Sequence, residues 1–374
     1  MSSNRAEVLI DLGAIDWNIR KIKEQSQKPI LAVVKADAYG HGLIPVAKQA
    51  LKSGASWLGT ALLEEALMLR DAGISSPIIA WLTPITDDFD LAISKDIDLS
   101  IPSLEHLDAV IQSAKRLNKV PRLHLEVDTG MSRGGALGDW RALLHAAADL
   151  EKAKRIKVIG VWSHFARADE PSHPFNQEQV SNFEERVREA NGYGINPEII
   201  HMSNSAASIA NKSAHYDLLR LGIAMYGLSP DVGNMGTSEK LNLKPAMQIR
   251  SRIHLVKDVP AGSQVGYGGT AITSENTKLA VIPMGYADGI PRNTNSRAGV
   301  LIGNKRAPII GRVSMDQFVV DLGKDSTAKA GDWAYLIGND NSAGYTADAW
   351  ADASGTINYE IVTRIAKRVP RLYI

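Results

Sequence analysis

The sequence predicts a (β/α)8 barrel followed by a mostly antiparallel β-domain. Up to about residue 230, short β-branched apolar runs alternate with stretches of helical period, the pattern of parallel strands joined by helices. Eight such units in roughly 220 residues match the size of one barrel. After "SPDVGNMGTSEK" (229–240), a tract rich in Gly, Ser, Asp and Asn, the texture changes to alternating strands. The expected domains are therefore 1–235 and 236–374, with the first few residues candidates to pair with the second domain.

The barrel strands are expected in order at "PILAVV" (29–34), "ASWLG" (55–59), "PIIAWL" (77–82), "DIDLSI" (96–101), "PRLHLEV" (121–127), "IKVIGVWSH" (156–164), "PEIIHMS" (197–203) and "YDLLRLGI" (216–223). Helices belong between them. In 61–72, Leu62, Glu65, Ala66 and Leu69 fall at i, i+3, i+4 and i+7; "SLEH" (103–106) reads as a helix start with Ser103 as N-cap. An open doubly wound sheet is the rival, but "KADAYGHG" lacks the glycine spacing of its phosphate loop. In the second domain, "MQIRSRIHLVKDV", "TKLAVIPMGY", "RAPIIGRVSM", "DQFVVDL" and "DWAYLIG" read as strands, and one late helix is expected at about 356–367.

Charge and composition narrow the function classes. Lys plus Arg number 42 against 41 Asp plus Glu among 374 residues, so no bulk charge draws the chain to nucleic acid or to an acidic membrane. No uncharged run is long enough to span a bilayer, and "MSSNRAEVLIDLGAIDW" lacks the apolar core of a secretory signal; the expected address is the cytoplasm. With no cysteine, disulfides, thiolate metal sites and thiol nucleophiles are excluded. The nine histidines show no ligand spacing and no HExxH occurs, so no metal is expected.

A barrel carries its chemistry on the loops after its strands, and the unusual residues of this chain collect there. Lys35 follows the first strand, Arg133 lies in "DTGMSRGG" after the fifth, and His164 ends the sixth. Asn204 and Ser205 follow the seventh, and Gly222 ends the eighth. Singly, each has an ordinary reading as a solvated charge, a turn or a packed ring. Together, a lysine amine and Gly/Ser loops suited to phosphate point to pyridoxal phosphate, carried as a Schiff base on lysine.

Ten motifs spread over nearly the whole chain resemble those of the alanine racemase family: "VVKADAYGHG", "DTGMSRGG", "SHFARAD", "MSNSAA", "LRLGIAMYG", "VGYGG", "GYADGIPR", "GRVSMDQ", "NYEIVTRI" and "RVPRLYI". The resemblance implies pyridoxal 5'-phosphate as cofactor, L- and D-alanine as substrates and a supply of D-alanine for peptidoglycan. It makes Lys35 the Schiff-base lysine and Tyr267 the second base, acting on the opposite face. Tyr39, Ser205, Tyr359 and the N–H groups of Gly222 and Ile223 would hold the phosphate, with Asn204 beside them and His164 along the ring. Arg220 would face the pyridine nitrogen with His201 behind it; a guanidinium only donates, so that nitrogen should stay unprotonated. Arg133 and the N–H of Met315 would receive the substrate carboxylate and the cofactor's O3′ region. Asp169, Tyr286, Arg292, Arg312 and Asp316 would line the access channel. The resemblance further implies a head-to-tail homodimer in which Tyr267 serves the other subunit's site.

One position departs from the family pattern. Seven residues before Arg133, many members have a lysine bearing a carbamate, whereas this chain has Glu126. The expectation is that its carboxylate substitutes, in a charge-assisted contact with Arg133. Rival readings are a broader racemase of the same fold acting on serine, lysine or arginine, a decarboxylase of that fold, and a non-catalytic pyridoxal-phosphate-binding protein. The decarboxylases carry an acidic group where Arg220 stands, and the non-catalytic proteins lack the second domain that contains Tyr267, Met315 and Tyr359.

Overall fold

Each of the eight apolar runs forms a strand, because both faces of a barrel strand are covered and a continuous Ile/Val/Leu run suits that placement. The computed structural model describes residues 5–338 and 344–374. The strands are Ile30–Val33, Trp57–Thr60, Ile78–Ala80, Asp98–Ile101, Arg122–Glu126, Lys157–Trp162, Ile199–His201 and Leu219–Leu221. They lie in chain order, all pairs parallel, and the last returns to the first through Leu31 opposite Arg220. At the seam between the seventh and eighth strands the ladder reduces to the Asp217 N–H on the Ile200 carbonyl and the Arg220 N–H on that of Ser203, 3.0 and 3.1 Å. The barrel is thus nearly closed.

The expected helices are present where their caps allow. Helix Leu104–Leu117 begins at Ser103, whose Oγ accepts from the His106 N–H, and ends at Asn118 in the left-handed region. Helix Leu63–Asp71 follows the second strand.

The remaining strands build a mostly antiparallel domain. Its main sheet runs Lys305–Pro308, Gly299–Ile302, Trp333–Ile337, Met247–Arg252, Ala6–Ile10, Arg371–Tyr373, and only the last pair is parallel. Leu255–Val259, Thr277–Ile282 and Phe318–Asp321 form a second antiparallel sheet, and Gln264–Val265 with Ala271–Ile272 a short hairpin. The late helix expected at about 356–367 is Asn358–Thr363, and a further one, Ala347–Ser354, precedes it. Gly355, at φ 64°, stops the earlier of the two in a left-handed cap.

The chain divides into two compact units. One comprises the barrel, Ile15–Ala38 and Leu43–Leu243; the other holds the residues up to Ala14, Tyr39–Gly42 and Lys244 onward. The change of unit at Leu243/Lys244 falls beyond the 235/236 boundary expected from composition. Among the described residues no helix is long and apolar enough to cross a membrane.

Within the second unit, the buried Asp288 carboxylate is an anchor. It accepts from Arg5 Nη2 (2.8 Å), Arg368 Nε and Nη2 (2.7 and 2.9 Å) and the Gly285 N–H (2.9 Å). Burial opposes ionisation, but Arg368 and Arg5 outweigh it and hold this carboxyl below the usual aspartate range. Its contribution is present above the unfolded pKa and is lost as pH falls through the lower folded value. Asp288→Asn should cost about 2 kcal/mol at pH 7, with the deficit shrinking in acid below roughly pH 4. Urea titrations of both proteins across that range check this; a deficit independent of pH would contradict the ionic role.

Candidate active site

Lys35 leaves the first strand directly into a left-handed turn. Ala36, Asp37, Ala38 and Tyr39 have φ of 53, 54, 53 and 53°, a conformation costing L-residues of order 1–2 kcal/mol each. The turn is held from several sides. The Glu65 carboxylate accepts from the Ala36 N–H at 2.5 Å and from the Ala61 and Leu62 N–H groups at 3.0 and 3.2 Å. Val34 O accepts from the Ala38 N–H at 2.8 Å, and Asp37 Oδ1 accepts from the Leu43 N–H at 2.8 Å. The half-buried Lys35 amine forms no ion pair with the described residues. Burial lowers its pKa below the usual lysine range, with Arg133 and Arg220 adding to the effect and Glu65 opposing it.

Arg220, on the eighth strand, is almost wholly buried and donates inward from the barrel wall. Nη1 donates to His201 O (3.0 Å) and His201 Nδ1 (3.1 Å); Nη2 faces Ser163 O (2.8 Å), Met202 O (3.0 Å) and His164 Nδ1 (3.1 Å). Its guanidinium carbon sits 5.0 Å from the centroid of the Trp162 ring. Its Nε–H meets no acceptor among the described residues. Burial pushes Arg220 down to about 9, against the pull of Glu126, so it is still a cation at neutral pH. His164 and His201 are driven well below the usual histidine range, by burial first and Arg220 next, and are neutral. Both therefore present Nδ1 as an acceptor.

The expected contact between Glu126 and Arg133 is not formed. Arg133 is exposed on its loop and Glu126 is largely buried, with Gly134 folded against it; a Cβ on Gly134 would stand 3.0 Å from Glu126 Oε1. Glu126 instead accepts from Ser100 Oγ at 3.3 Å, and that hydroxyl accepts from Trp162 Nε1 at 3.0 Å. Burial pushes the Glu126 carboxyl up to about 7, although the Ser100 bond and the Arg220 and Arg133 charges act the other way.

At the seventh and eighth strand ends, Asn204 caps helix Ser205–Ala210 by accepting from the Ala207 N–H at 3.0 Å. The Gly222 N–H, expected to face phosphate, is donated to Ser205 Oγ at 2.9 Å, as is that of Ala224 at 3.2 Å. Ile223 opens the tight turn Ile223–Tyr226, where a first-turn N–H has no partner within the turn. Asp169, half-buried, lies on the loop after the sixth strand.

Tyr39, Tyr267, Tyr286, Arg292, Arg312, Met315, Asp316 and Tyr359 belong to the other unit. Tyr39 and Tyr359 pack with ring centroids 6.2 Å apart, and burial raises the Tyr39 phenol. Tyr267 is 72% exposed on the short hairpin, between Gly266 and Gly268 at φ 74 and 75°, and Arg312 Nη1 lies 3.4 Å from where a Gly268 Cβ would be. Met315 and Tyr286 are also exposed, as is Arg292. Asp316 is paired with Arg368 at 2.7 Å. Sequence reading does not single out Glu65, Ser100 or Trp162; the available signal was a polar or aromatic residue within or beside a barrel strand.

The chain matches the model "Alanine racemase, N-terminal domain" over residues 10–230 and "Alanine racemase, C-terminal domain" over 246–373. It is 47% identical to an alanine racemase of Salinispora arenicola, covering 99% of this chain and 98% of that one. Among solved structures, alanine racemase from D-cycloserine-producing Streptomyces lavendulae superposes with a TM-score of 0.98 at 44% identity, covering 100% and 98% of the two chains. One from Bacillus anthracis, with bound L-Ala-P, gives 0.89 at 37% identity, covering 99% and 95%.

Two outcomes follow from this geometry. Glu126 has a folded pKa above its unfolded one, so the folded state holds the extra proton and loses stability as pH rises from about 4.5 to about 7. Glu126→Gln should therefore gain on the wild type across that interval, read as melting temperature against pH; parallel curves would contradict the burial of an acid there. At Ala36, a β-branched side chain is strained at positive φ whereas glycine is not. Ala36→Val should lose of order 1 kcal/mol relative to Ala36→Gly in urea titrations, and equal stabilities would show that the turn is not left-handed in solution.

Proposed function

Since the chain belongs to the alanine racemase family, we propose that it is a pyridoxal-phosphate enzyme interconverting L- and D-alanine, with Lys35 and Tyr267 handling protons on opposite faces of the substrate. The observation that carries this reading is the Lys35 amine, held by a strained turn, without an ion pair among the described residues and with a lowered pKa. Such an amine suits both attack on an aldehyde and later service as a base.

The donor set fits the cofactor. The free Nε–H of buried Arg220 matches a ring nitrogen that needs a donor, and neutral His164 suits the flank of a flat ring. The Ile223 N–H, Ser205 and the phenols of Tyr39 and Tyr359 suit a phosphate, with Asn204 capping the adjoining helix; the Gly222 N–H would have to leave Ser205 to join them. When bound, pyridoxal phosphate withdraws electrons and acidifies the α C–H of alanine.

The residues of the chain do the rest. Lys35 would hold the cofactor, and its amine would take or return the α proton on its own face. Arg133, exposed and without an ion pair among the described residues, would bind the substrate carboxylate, as would the Met315 N–H. Tyr267 would serve the other face, with Arg312 next to the neighbouring Gly268. Glu126 adds negative potential to Arg220 rather than a direct bond to Arg133. Asp169, Tyr286, Arg292, Arg312 and Asp316 line the access channel in this reading. The high exposure of Tyr267 supports a homodimer in which it completes the partner's site. A cytoplasmic address and supply of D-alanine for peptidoglycan complete the proposal, both from the family resemblance.

Borohydride reduction followed by mass spectrometry should find the cofactor adduct on Lys35, and Lys35→Ala should lack it. Tyr267→Phe should lower racemisation by about 100-fold or more. If sites are shared, mixing the two inactive variants under subunit exchange should restore about a quarter of wild-type activity. An adduct elsewhere, or no recovery on mixing, contradicts the proposal.

A further inference from the structure

We propose that Asp98, Arg122 and His124 are positioning residues for Arg220, fixing from the N-terminal end of the barrel the tautomer of each histidine that stands between. The inference rests on the reading that Arg220 faces the cofactor's ring nitrogen. Four hydrogen-bond links cross the barrel interior in one row. Arg122 donates to Asp98 through Nε (2.8 Å) and Nη2 (3.1 Å); His124 Nε2 lies 3.3 Å from Asp98 Oδ2; His124 Nδ1 lies 3.1 Å from His201 Nε2; and His201 Nδ1 lies 3.1 Å from Arg220 Nη1. Asp98 and Arg122 are the first residues of their strands and His201 is the last of its own. The row therefore runs from the N-terminal end of the barrel to the end where Lys35 stands.

The row has one consistent direction. Against burial, the hydrogen bonds from His124 and then Arg122 hold the Asp98 carboxyl below the usual aspartate range, so it is an anion and only accepts. His124 must then donate from Nε2. At the other end the guanidinium only donates, so neutral His201 accepts at Nδ1 and donates from Nε2, and His124 Nδ1 must accept. Both ends thus dictate the same pair of tautomers.

The surroundings are shaped for these rings. A Cβ on Gly160 would lie 2.3 Å from His124 Nδ1, so the absent side chain is what lets the two imidazoles meet. Trp57 packs edge-on against His124, with centroids 5.4 Å apart, and Trp162 stacks on His201 at 5.9 Å and 13°. Asp98 and His124 side chains are 1% and 0% exposed, whereas Arg122 is 35% exposed. Only one end of the row meets solvent.

Asp98→Leu is the informative change, because an amide could still turn its carbonyl to the position that accepts from both Arg122 Nη2 and His124 Nε2. Removing the acceptor leaves a proton on His124 Nε2 buried without a partner, which releases the fixed tautomer in His124 and, through it, in His201. Long-range ¹H–¹⁵N spectra of histidine-labelled protein read this directly. The wild type should show both rings protonated at Nε2 and not at Nδ1. Asp98→Leu should move a share of the proton to Nδ1 in both and lower kcat for alanine at least tenfold with little change in KM, and Asp98→Glu should restore both readouts. Wild-type tautomers retained in Asp98→Leu, or moved with kcat unchanged, overturn the proposal. Should Asp98→Leu not fold, the wild-type spectrum decides: a proton on Nδ1 of either ring overturns it. Tautomers are read without the cofactor, so an adduct missing from Lys35 would sink the functional reading and leave the spectral result standing on its own.

Discussion

A guanidinium that can only donate, buried at the C-terminal end of the barrel, is the constraint on which the site is built. Arg220 spends its Nη hydrogens on the carbonyls of Ser163, His201 and Met202 and on two imidazoles. Those carbonyls lie at the ends of the sixth and seventh strands, next to the seam where the ladder is thinnest. One side chain therefore closes the barrel wall, forces two histidines to be acceptors and leaves a single N–H directed elsewhere. Burial lowers its pKa, but not enough to remove its charge at neutral pH.

Other features balance that cation. The lysine amine is held within its field, which favours the neutral amine. Glu126 lies on the same interior, its carboxyl raised by burial and partly drawn back by Arg220 and Arg133. The left-handed turn after Lys35 is the costly element, and Glu65 and Asp37 offset it by accepting three N–H bonds from the barrel loops and one from Leu43. Strain of this kind persists where surrounding contacts over-determine the backbone.

The eight barrel strands were legible because each is a short, mainly apolar run between turn residues, and Ser103 announced its helix by type and position. Of the late helices, Asn358–Thr363 was legible within 356–367, whereas Ala347–Ser354 passed unread because its run of Ala and Asp around one Trp shows little apolar period. The turn Ala36–Tyr39 was hidden because alanine has no preference for positive φ; tertiary bonds impose it. Glu126 and Arg133 were expected to pair from the family pattern, in which a carbamate-bearing lysine stands at position 126, yet burial of one and exposure of the other separate them. Asp98 in "DIDLSI" and His124 in "PRLHLEV" passed as ordinary strand residues, although a polar residue facing a barrel interior must be satisfied by another. Inward direction was the missing information, and pairing register supplies it.

The protonation state of the ring nitrogen that Arg220 is proposed to face decides whether this cation governs the chemistry. Protein loaded with pyridoxal phosphate labelled with ¹⁵N in the ring should give, at neutral pH, the resonance of an unprotonated pyridine nitrogen accepting a hydrogen bond. A pyridinium resonance would mean that Arg220 does not occupy that position as a donor, and would contradict the assignment at its centre.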